Sequence, residues 1–371
     1  MTPARAASSR GPRPAHGPGL PPGPAPTHGP RPSDGSRTGD GAYPGLLFGT
    51  TSYVLPADLL PNVRLLAPFI DDMELILFEG EASNLPSRAD VREIGLIAAD
   101  AGCGFTVHLP LDVGIGEDDA AKRRRAQDTC LRVIDLTTPL EPHAFVVHPE
   151  LPLRHHPALG EAPKPLDSLP EAEFRAWQEH LGESFGRFAA EAGPSPLAVE
   201  NLQFSFDWVK ALLEEHDLGV TLDVGHLLAH GGDVGRHLEE YGDRLTVVHL
   251  HGLEGHRDHQ EIGLHETADL RAMLDMFAEA STGRPAHVGE ADRGEADRNL
   301  PSGRAGLGGP GSSAAAVVVS LEVFGWKPTV ASLRTLADLL GEPRGGSFAS
   351  AAEAVMRELP RWASSGAAES F

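Results

Sequence analysis

Eight short hydrophobic runs alternate with longer helical patterns along most of the chain. Each run is rich in Val, Leu and Ile without strict polar alternation, which is typical of parallel strands covered on both faces. Eight such units predict an α/β fold, the (β/α)8 TIM barrel. An open doubly wound sheet is disfavoured because residues 49–53, after the first strand, lack a GxGxxG loop. The predicted strands are Leu46–Thr51, Met73–Glu79, Phe105–Leu109, Ala144–His148, Leu197–Glu200, Val220–Asp223, Leu245–His251 and Ala316–Phe324. The predicted helices are Ser87–Ala101, Glu117–Thr137, Glu171–Ala192, Phe206–Glu215, Asp233–Tyr241, Glu266–Ala280 and Thr329–Leu340.

Composition divides the chain into a barrel and less regular segments. Residues 1–42 are rich in Pro and Gly with almost no large apolar side chains, so we predict a disordered tail. The barrel is expected over 43–345, with a flexible insertion rich in Gly and charged residues at 281–313. Residues 346–371 should form a last helix and a tail.

The charge of the chain argues against a nucleic-acid surface. Its net charge is −22, and residues 1–40 carry five Arg and two Asp, so the rest carries −25. Such a body repels polyphosphates. The chain shows no membrane-spanning apolar stretch, and its two cysteines fit a reducing compartment, so we expect a cytoplasmic protein whose oligomeric state is open.

Six successive predicted strands carry an ionisable side chain at their carboxyl ends. In a closed barrel those ends meet at one rim, where active sites form. His226 follows in Leu-Asp-Val-Gly-His, where Gly225 should let the loop curl inward, and the loop after strand seven adds Asp258 and His259. The six strand-end residues are His108, His148, Glu200, Asp223, His249 and Glu322.

This set of side chains predicts a metal site. Imidazoles and carboxylates together suit Zn, Mn or Fe better than Mg or Ca. One ion needs about four protein ligands, so nine candidates indicate two or three ions, bridged by a carboxylate such as Glu200.

Four further residues are candidates for binding substrate. Asp112 and Asn201 lie beside strand-end residues and either orient ligands, bind substrate or cap helices. Glu79 ends strand two and either touches substrate or begins the next helix. We expect His251 to point to the opposite side of its strand from His249 and to lie outside the ligand set.

Several motifs together resemble the xylose-isomerase-like barrel superfamily of sugar isomerases, epimerases and apurinic endonucleases. Leu-Asp-Val-Gly-His and a terminal Leu-Glu are similar to its recurring features, and Val-His-Pro at 147–149 resembles the multi-metal endonuclease branch. The resemblance implies that the ligands are His108, His148, Glu200, Asp223, His226, His249, His259 and Glu322, with Glu200 bridging.

A more detailed resemblance covers residues 46–340. Thr50–Pro56, Asn84–Pro86, His108–Asp112, Val199–Leu202 and Arg257–His259 are similar to motifs of the cobamide-remodelling phosphodiesterases. That family implies hydrolysis of the phosphoribosyl linkage in the nucleotide loop of a cobamide. Two metals would hold the phosphate, and Asp258 or Asp112 would help deprotonate the attacking water.

Three other functions stay open. A sugar isomerase or epimerase would use one metal, with Glu200 and Glu322 moving a proton. A corrinoid-binding protein would have no catalysis, and an abasic-site endonuclease is disfavoured by the acidic charge. The number of bound ions separates the first of these from the hydrolase.

Overall fold

The computed structural model describes residues 43–77, 85–111, 113–152, 169–193, 196–255, 257–283 and 316–363. Within them, eight parallel strands form a closed barrel, so the predicted fold class is confirmed. These strands are β1 Leu46–Thr51, β2 Asp72–Ile76, β3 Gly104–His108, β4 Phe145–Val147, β5 Leu197–Glu200, β6 Gly219–Asp223, β7 Leu245–Leu250 and β10 Val317–Leu321. Around the barrel, neighbouring strands follow the order β1-β10-β7-β6-β5-β4-β3-β2.

The strands bury both of their faces, as their composition indicates. Alternate residues fill the barrel interior with small and branched side chains, among them Val146, Ala198, Val247 and Val318, each fully buried. The residues between them, such as Val199 and Val319, pack outward in a larger cluster with the helices. The absence of polar alternation in the sequence follows from this two-sided burial.

Ten helices are described around and after the strands. The ends of helix α2 are set by its sequence. Ser87 caps its start in a capping box with Asp90, and Gly102 ends it in a left-handed conformation with φ +65°. The helices are α1 Leu59–Leu66, α2 Arg88–Ala101, α3 Ala120–Thr137, α4 Glu171–Ala192, α5 Lys210–Glu215, α6 Val224–Ala229, α7 Val234–Tyr241, α8 Thr267–Gly283, α9 Trp326–Leu340 and α10 Arg344–Ala363.

Some elements differ from the sequence prediction. Helices α1 and α6 were not predicted, and the loop after β7 contains a small antiparallel hairpin, β8 Gly252–Glu254 and β9 Arg257–Gln260. Strand β2 ends at Ile76, so the prediction that it runs to Glu79 was wrong. Strands β7 and β10 also end before their predicted limits.

The predictions for the less regular segments are only partly open to comparison. Residues 1–42 and most of 281–313 lie outside the described residues. The predicted last helix begins at Arg344 and runs to Ala363. Among the described helices, none combines the length and apolar character needed to cross a membrane.

Candidate metal centre

Four buried side chains form the centre of the rim. Glu200 ends β5, Asp223 ends β6, His249 lies on β7 and Glu322 follows β10 directly. His249 Nδ1 lies 3.0 Å from Glu322 Oε2, 3.4 Å from Glu200 Oε2 and 3.9 Å from Asp223 Oδ2. One ligand atom from each of the four lies within 4.8 Å of those of the others. We call these four residues the central group.

Two histidines extend the centre on the side of β3 and β4. His148 Nε2 lies 3.0 Å and His108 Nε2 3.3 Å from the same Glu200 oxygen, Oε2. His108 is fully buried at the end of β3, and His148 follows β4 with its side chain 11 % exposed. Glu200 therefore belongs both to the central group and to this second group, in the position of a bridging carboxylate.

A third group lies on the other side and contains His226, His251 and His259, whose ligand atoms also lie within 4.8 Å of one another. His226 Nδ1 is 3.4 Å from Glu200 Oε1 and 3.5 Å from Asp223 Oδ2. His259 has φ +51°, a left-handed conformation that non-glycine residues seldom adopt outside functional sites and turns.

The segment from Asp223 to His226 is the start of a helix, where a curled loop was predicted. Asp223 is the N-cap of α6, and its carboxylate accepts a hydrogen bond of 2.6 Å from the His226 N–H. A capping residue and the residue three positions on face the same end of a helix, which brings the two side chains together. Gly225 is required for a different reason, because a Cβ there would lie 1.9 Å from the His251 ring.

The expectation that His251 points away from the site was wrong. Its ring is fully buried, and Nε2 lies 3.1 Å from both carboxylate oxygens of Asp223. Positions 249 and 251 are two residues apart and therefore face the same side of an extended segment. His251 Nδ1 accepts a hydrogen bond of 3.0 Å from the His259 N–H, so this ring connects the β8–β9 hairpin to the central group.

The two imidazoles of the second group are held by an acceptor on the nitrogen that faces away from Glu200 and the central group. His108 Nδ1–H donates to the Leu109 carbonyl (2.9 Å), and His148 Nδ1–H donates to Glu150 (3.1 Å). His259 Nδ1 is 3.1 Å from the Glu322 carbonyl, the acceptor that fixes its proton. In each neutral ring the other nitrogen, Nε2, then carries a lone pair; for His108 and His148 it faces Glu200.

The electrostatics show how strongly this pocket attracts positive charge. Burial lowers the pKa of His148, but the Glu200 carboxylate and the bond to Glu150 outweigh it and raise the pKa to about 10. Burial likewise lowers the pKa of His226, and Asp223 and Glu200 raise it to about 9. Burial raises the pKa of Glu200, but the charges of His148 and His249 hold it well below its usual range.

The donor set fits divalent cations. The buried atoms without a hydrogen-bond partner among the described residues include four of the candidate ligands, namely Glu200 Oε1, His226 Nδ1, His249 Nδ1 and Glu322 Oε2. Buried polar atoms normally have a partner. These four lie in two close pairs, with His226 Nδ1 3.4 Å from Glu200 Oε1 and His249 Nδ1 3.0 Å from Glu322 Oε2. A mixed imidazole and carboxylate shell is the kind that Zn, Mn and Fe prefer.

The remaining predicted residues have different positions. Asn201 is buried, and its amide binds the backbone of Asp223, accepting from its N–H at 2.8 Å and donating to its carbonyl at 3.0 Å. It therefore orients a residue of the central group. Asp258 lies at the rim with its side chain 49 % exposed, and its Oδ2 is 3.8 Å from His226 Nε2. Glu79 and Asp112 lie outside the described residues.

Two residues of the site were missed by the sequence analysis. Glu74 lies in β2, fully buried, with Oε1 3.0 Å from His249 Nε2, and Glu150 holds His148. Glu74 lies two residues before the end of β2, and the predicted site contained only residues at or after the carboxyl ends of strands. Its signal was a carboxylate between Met73 and Leu75 in a strand without a solvent-facing side.

A groove lies beside the third group. It has a volume of about 590 Å³ and is lined by Asp258, His259 and Phe324, together with Arg257 and Lys327. It offers room for a substrate beside the third group.

Comparisons with known proteins agree with the fold. A family model described as the xylose isomerase-like TIM barrel matches residues 70–295. A search of curated protein sequences finds no match. Similar solved structures include a D-tagatose 3-epimerase-like protein (TM-score 0.56, 17 % identity, covering 79 % of this chain and 96 % of that one). They also include the 3-keto-D-glucoside 4-epimerase of E. coli (TM-score 0.52, 15 % identity, 79 % and 98 % covered). A third is the D-psicose 3-epimerase of Clostridium cellulolyticum H10 (TM-score 0.51, 14 % identity, 84 % and 97 % covered). At these identities the similarity establishes the fold.

Proposed function

The chain belongs to the xylose isomerase-like TIM-barrel family, and from the composition of its rim we propose that it is a multi-metal phosphodiesterase. The observation that carries this proposal is the second group. A single-metal centre is complete with the four residues of the central group, yet His108 and His148 also approach Glu200 Oε2, with their outer nitrogens fixed. Two imidazoles fixed in this way have a direct use if Glu200 bridges two ions.

When bound, the metals would hold the phosphate and lower the pKa of an attacking water. The chain's own residues would fix the geometry. Glu150 and the Leu109 carbonyl keep the two flanking imidazoles in one tautomer, and Asn201 holds the backbone of Asp223. Asp258 is half-exposed beside His226 and would accept the proton of the water on its carboxylate.

We propose the nucleotide loop of a cobamide as the substrate. The support is the set of sequence motifs shared with cobamide-remodelling phosphodiesterases, which covers most of the barrel. The groove beside His259 adds space next to the metal centre, with the aromatic ring of Phe324 4.8 Å from the His259 ring. A small anion can enter an acidic protein when cations lie at the site.

A second candidate is a sugar epimerase with one metal. The central group by itself provides a four-ligand site with two carboxylates, Glu200 and Glu322, that could move a proton on either side of a sugar carbon. Two of the solved structures named above are sugar epimerases and the third is described as epimerase-like, and they support this reading more directly than the cobamide reading. The fixed imidazoles of the second group are what favour the hydrolase.

One experiment separates the two candidates. The purified protein is loaded with Zn²⁺ or Mn²⁺, its bound metal is counted, and it is incubated with a cobamide or with ketoses before chromatography of the products. The hydrolase predicts two or three ions per chain, a cobinamide-type product, and loss of activity in His148→Ala. His180→Ala, on the outer helix α4, is the matched control and should keep the activity. One ion per chain, an unchanged cobamide and an epimerised ketose would establish the second candidate instead.

A further inference from the structure

Glu74 is a carboxylate in an unfavourable place. It lies in the middle of β2, is fully buried, and its neighbours across the two adjoining strands are Thr51 and Thr106. An ionised carboxylate taken out of water is destabilising unless a partner compensates it. Its partner is His249, which belongs to the central group and lies on β7, across the barrel interior.

This contact decides which nitrogen of His249 carries a proton. Glu74 Oε1 lies 3.0 Å from His249 Nε2, and an ionised carboxylate only accepts hydrogen bonds. Glu322 Oε2 is equally close to Nδ1, at 3.0 Å, but when a cation is bound by the central group that carboxylate binds the cation, and the proton of the neutral ring is then on Nε2. The lone pair is then on Nδ1, which faces Glu322 Oε2 at 3.0 Å and Glu200 Oε2 at 3.4 Å.

The opposite tautomer would reverse both contacts. Its Nε2 lone pair would face the Glu74 carboxylate, and its Nδ1–H would point to the place where the ligand atoms of the central group converge. Such a ring could not bind a cation through Nδ1. Glu74 thus favours the tautomer of His249 that can bind a metal ion through Nδ1 over the tautomer that cannot.

We propose that Glu74 is a positioning residue that holds His249 in the metal-binding tautomer and thereby sets the affinity of the central group for its cation. This inference rests on the proposed function, because it requires that the central group binds metal. Removal of a carboxylate behind a ligating histidine typically weakens metal binding by about 10–100-fold.

The same strand offers a matched control. Asp72 is also a fully buried carboxylate of β2, and its Oδ2 lies 2.8 Å from Nδ1 of His143. This pair lies at the amino end of the strand and contacts none of the central group. The His143 side chain is 37 % exposed, so this pair is less buried than that of Glu74 and His249. Asp72→Asn removes the charge of a buried carboxylate that contacts a histidine, as Glu74→Gln does, and therefore controls for that variant away from the central group.

The experiment measures cation binding in protein stripped with a chelator. Wild type, Glu74→Met, Glu74→Gln and Asp72→Asn are titrated with Co²⁺, whose visible absorption reports the ligand set, and Zn²⁺ competition gives the dissociation constants. We expect Glu74→Met to weaken one site about 10–100-fold and change its spectrum. Glu74→Gln should weaken the same site less, because its amide oxygen can still accept a hydrogen bond from His249 Nε2–H. If Glu74→Met fails to fold, Glu74→Gln still tests the proposal. Asp72→Asn should bind like wild type.

The possible failures are distinguishable. Wild-type Co²⁺ affinity and spectrum in both Glu74 variants would overturn this inference while leaving metal binding intact. An equal loss of affinity in Asp72→Asn would also overturn it, because the effect would then be structural. If the wild-type protein binds no Co²⁺, the proposed metal-dependent function fails together with it.

Discussion

Replacing Gly225 with Ala tests whether His251 is held as tightly as the structure shows. The new Cβ would lie 1.9 Å from Cε1 and 2.4 Å from Nδ1 of the His251 ring. Carbon atoms in contact lie at about 3.5–4.0 Å, so the ring would have to retreat by about 1.5 Å. The ring cannot do so without losing its contacts, because Asp223 holds Nε2, the His259 N–H holds Nδ1, and the His259 ring lies 4.4 Å away.

The magnitude follows from three contributions. Overpacking of a buried site costs about 1–3 kcal/mol. Loss of the hydrogen bond from His251 to the charged Asp223 costs about 1.5–3 kcal/mol. Ala gains about 1 kcal/mol over Gly because position 225 lies in helix α6. The expected net loss in the free energy of unfolding is about 2–4 kcal/mol.

Urea denaturation of the metal-free protein, followed by circular dichroism, measures this loss as a lower midpoint at unchanged slope. The control is Gly186→Ala in helix α4, where the nearest atom to the new Cβ is His216 Cε1 at 3.4 Å. That variant should be neutral or more stable by about 0.5–1 kcal/mol. A Gly225→Ala protein within about 0.5 kcal/mol of wild type would show that the ring has room to move and would refute this account of the third group.

Three further outcomes can be measured directly. Ser87→Ala removes a capping box with Asp90 and should cost about 1 kcal/mol in urea denaturation, whereas Ser205→Ala, which loses no cap hydrogen bond, should cost little. Burial lowers the pKa of His237 to about 4, against an opposing effect of Asp207. The unfolded chain therefore binds a proton at His237 more readily than the folded chain does. The contribution of neutral His237 to the free energy of unfolding is complete above about pH 6.5 and falls by up to about 3 kcal/mol as the pH drops to about 4. Replacement of His237 by Phe should remove that part of the pH dependence, and an unchanged difference in stability between pH 5 and pH 7 would contradict the assignment. Chelation should lower the melting temperature of metal-loaded protein, with recovery on adding Zn²⁺, and a melting temperature indifferent to chelator would count against the metal centre.

The barrel could be predicted from the sequence because its signal is local. A strand covered on both faces is apolar at most positions, and the run 316–324, in which only Ser320 and Glu322 are polar, shows this without knowledge of its neighbours. Helix α1 was not predicted because its sequence contains Pro61 and Asn62, which are poor helix formers. Pro61 is the third residue of the helix, where the missing N–H has no intrahelical acceptor, so the proline is tolerated there.

The site was predictable only as far as it follows from strand ends. His108, Glu200, Asp223 and Glu322 meet because parallel strands end at one rim, which requires the topology but no side-chain geometry. Glu74 could not be found in this way, because its contact with His249 crosses the barrel and depends on the register of β2 within the closed sheet.

The fixed imidazoles connect the stability of this rim to its ligand. In His148 and His249 the nitrogen that faces away from Glu200 donates its proton to an acceptor. The other nitrogen of the neutral ring then presents its lone pair to a buried carboxylate, so two hydrogen-bond acceptors face each other. Only positive charge between them relieves this repulsion, and it can be a proton or a metal ion. A second proton on an imidazole pairs that ring with one neighbouring carboxylate. This pairing outweighs burial and raises the pKa of His148 and His226. A divalent cation satisfies several of the carboxylates at once and leaves the rings neutral, so its binding should contribute directly to the stability of the fold.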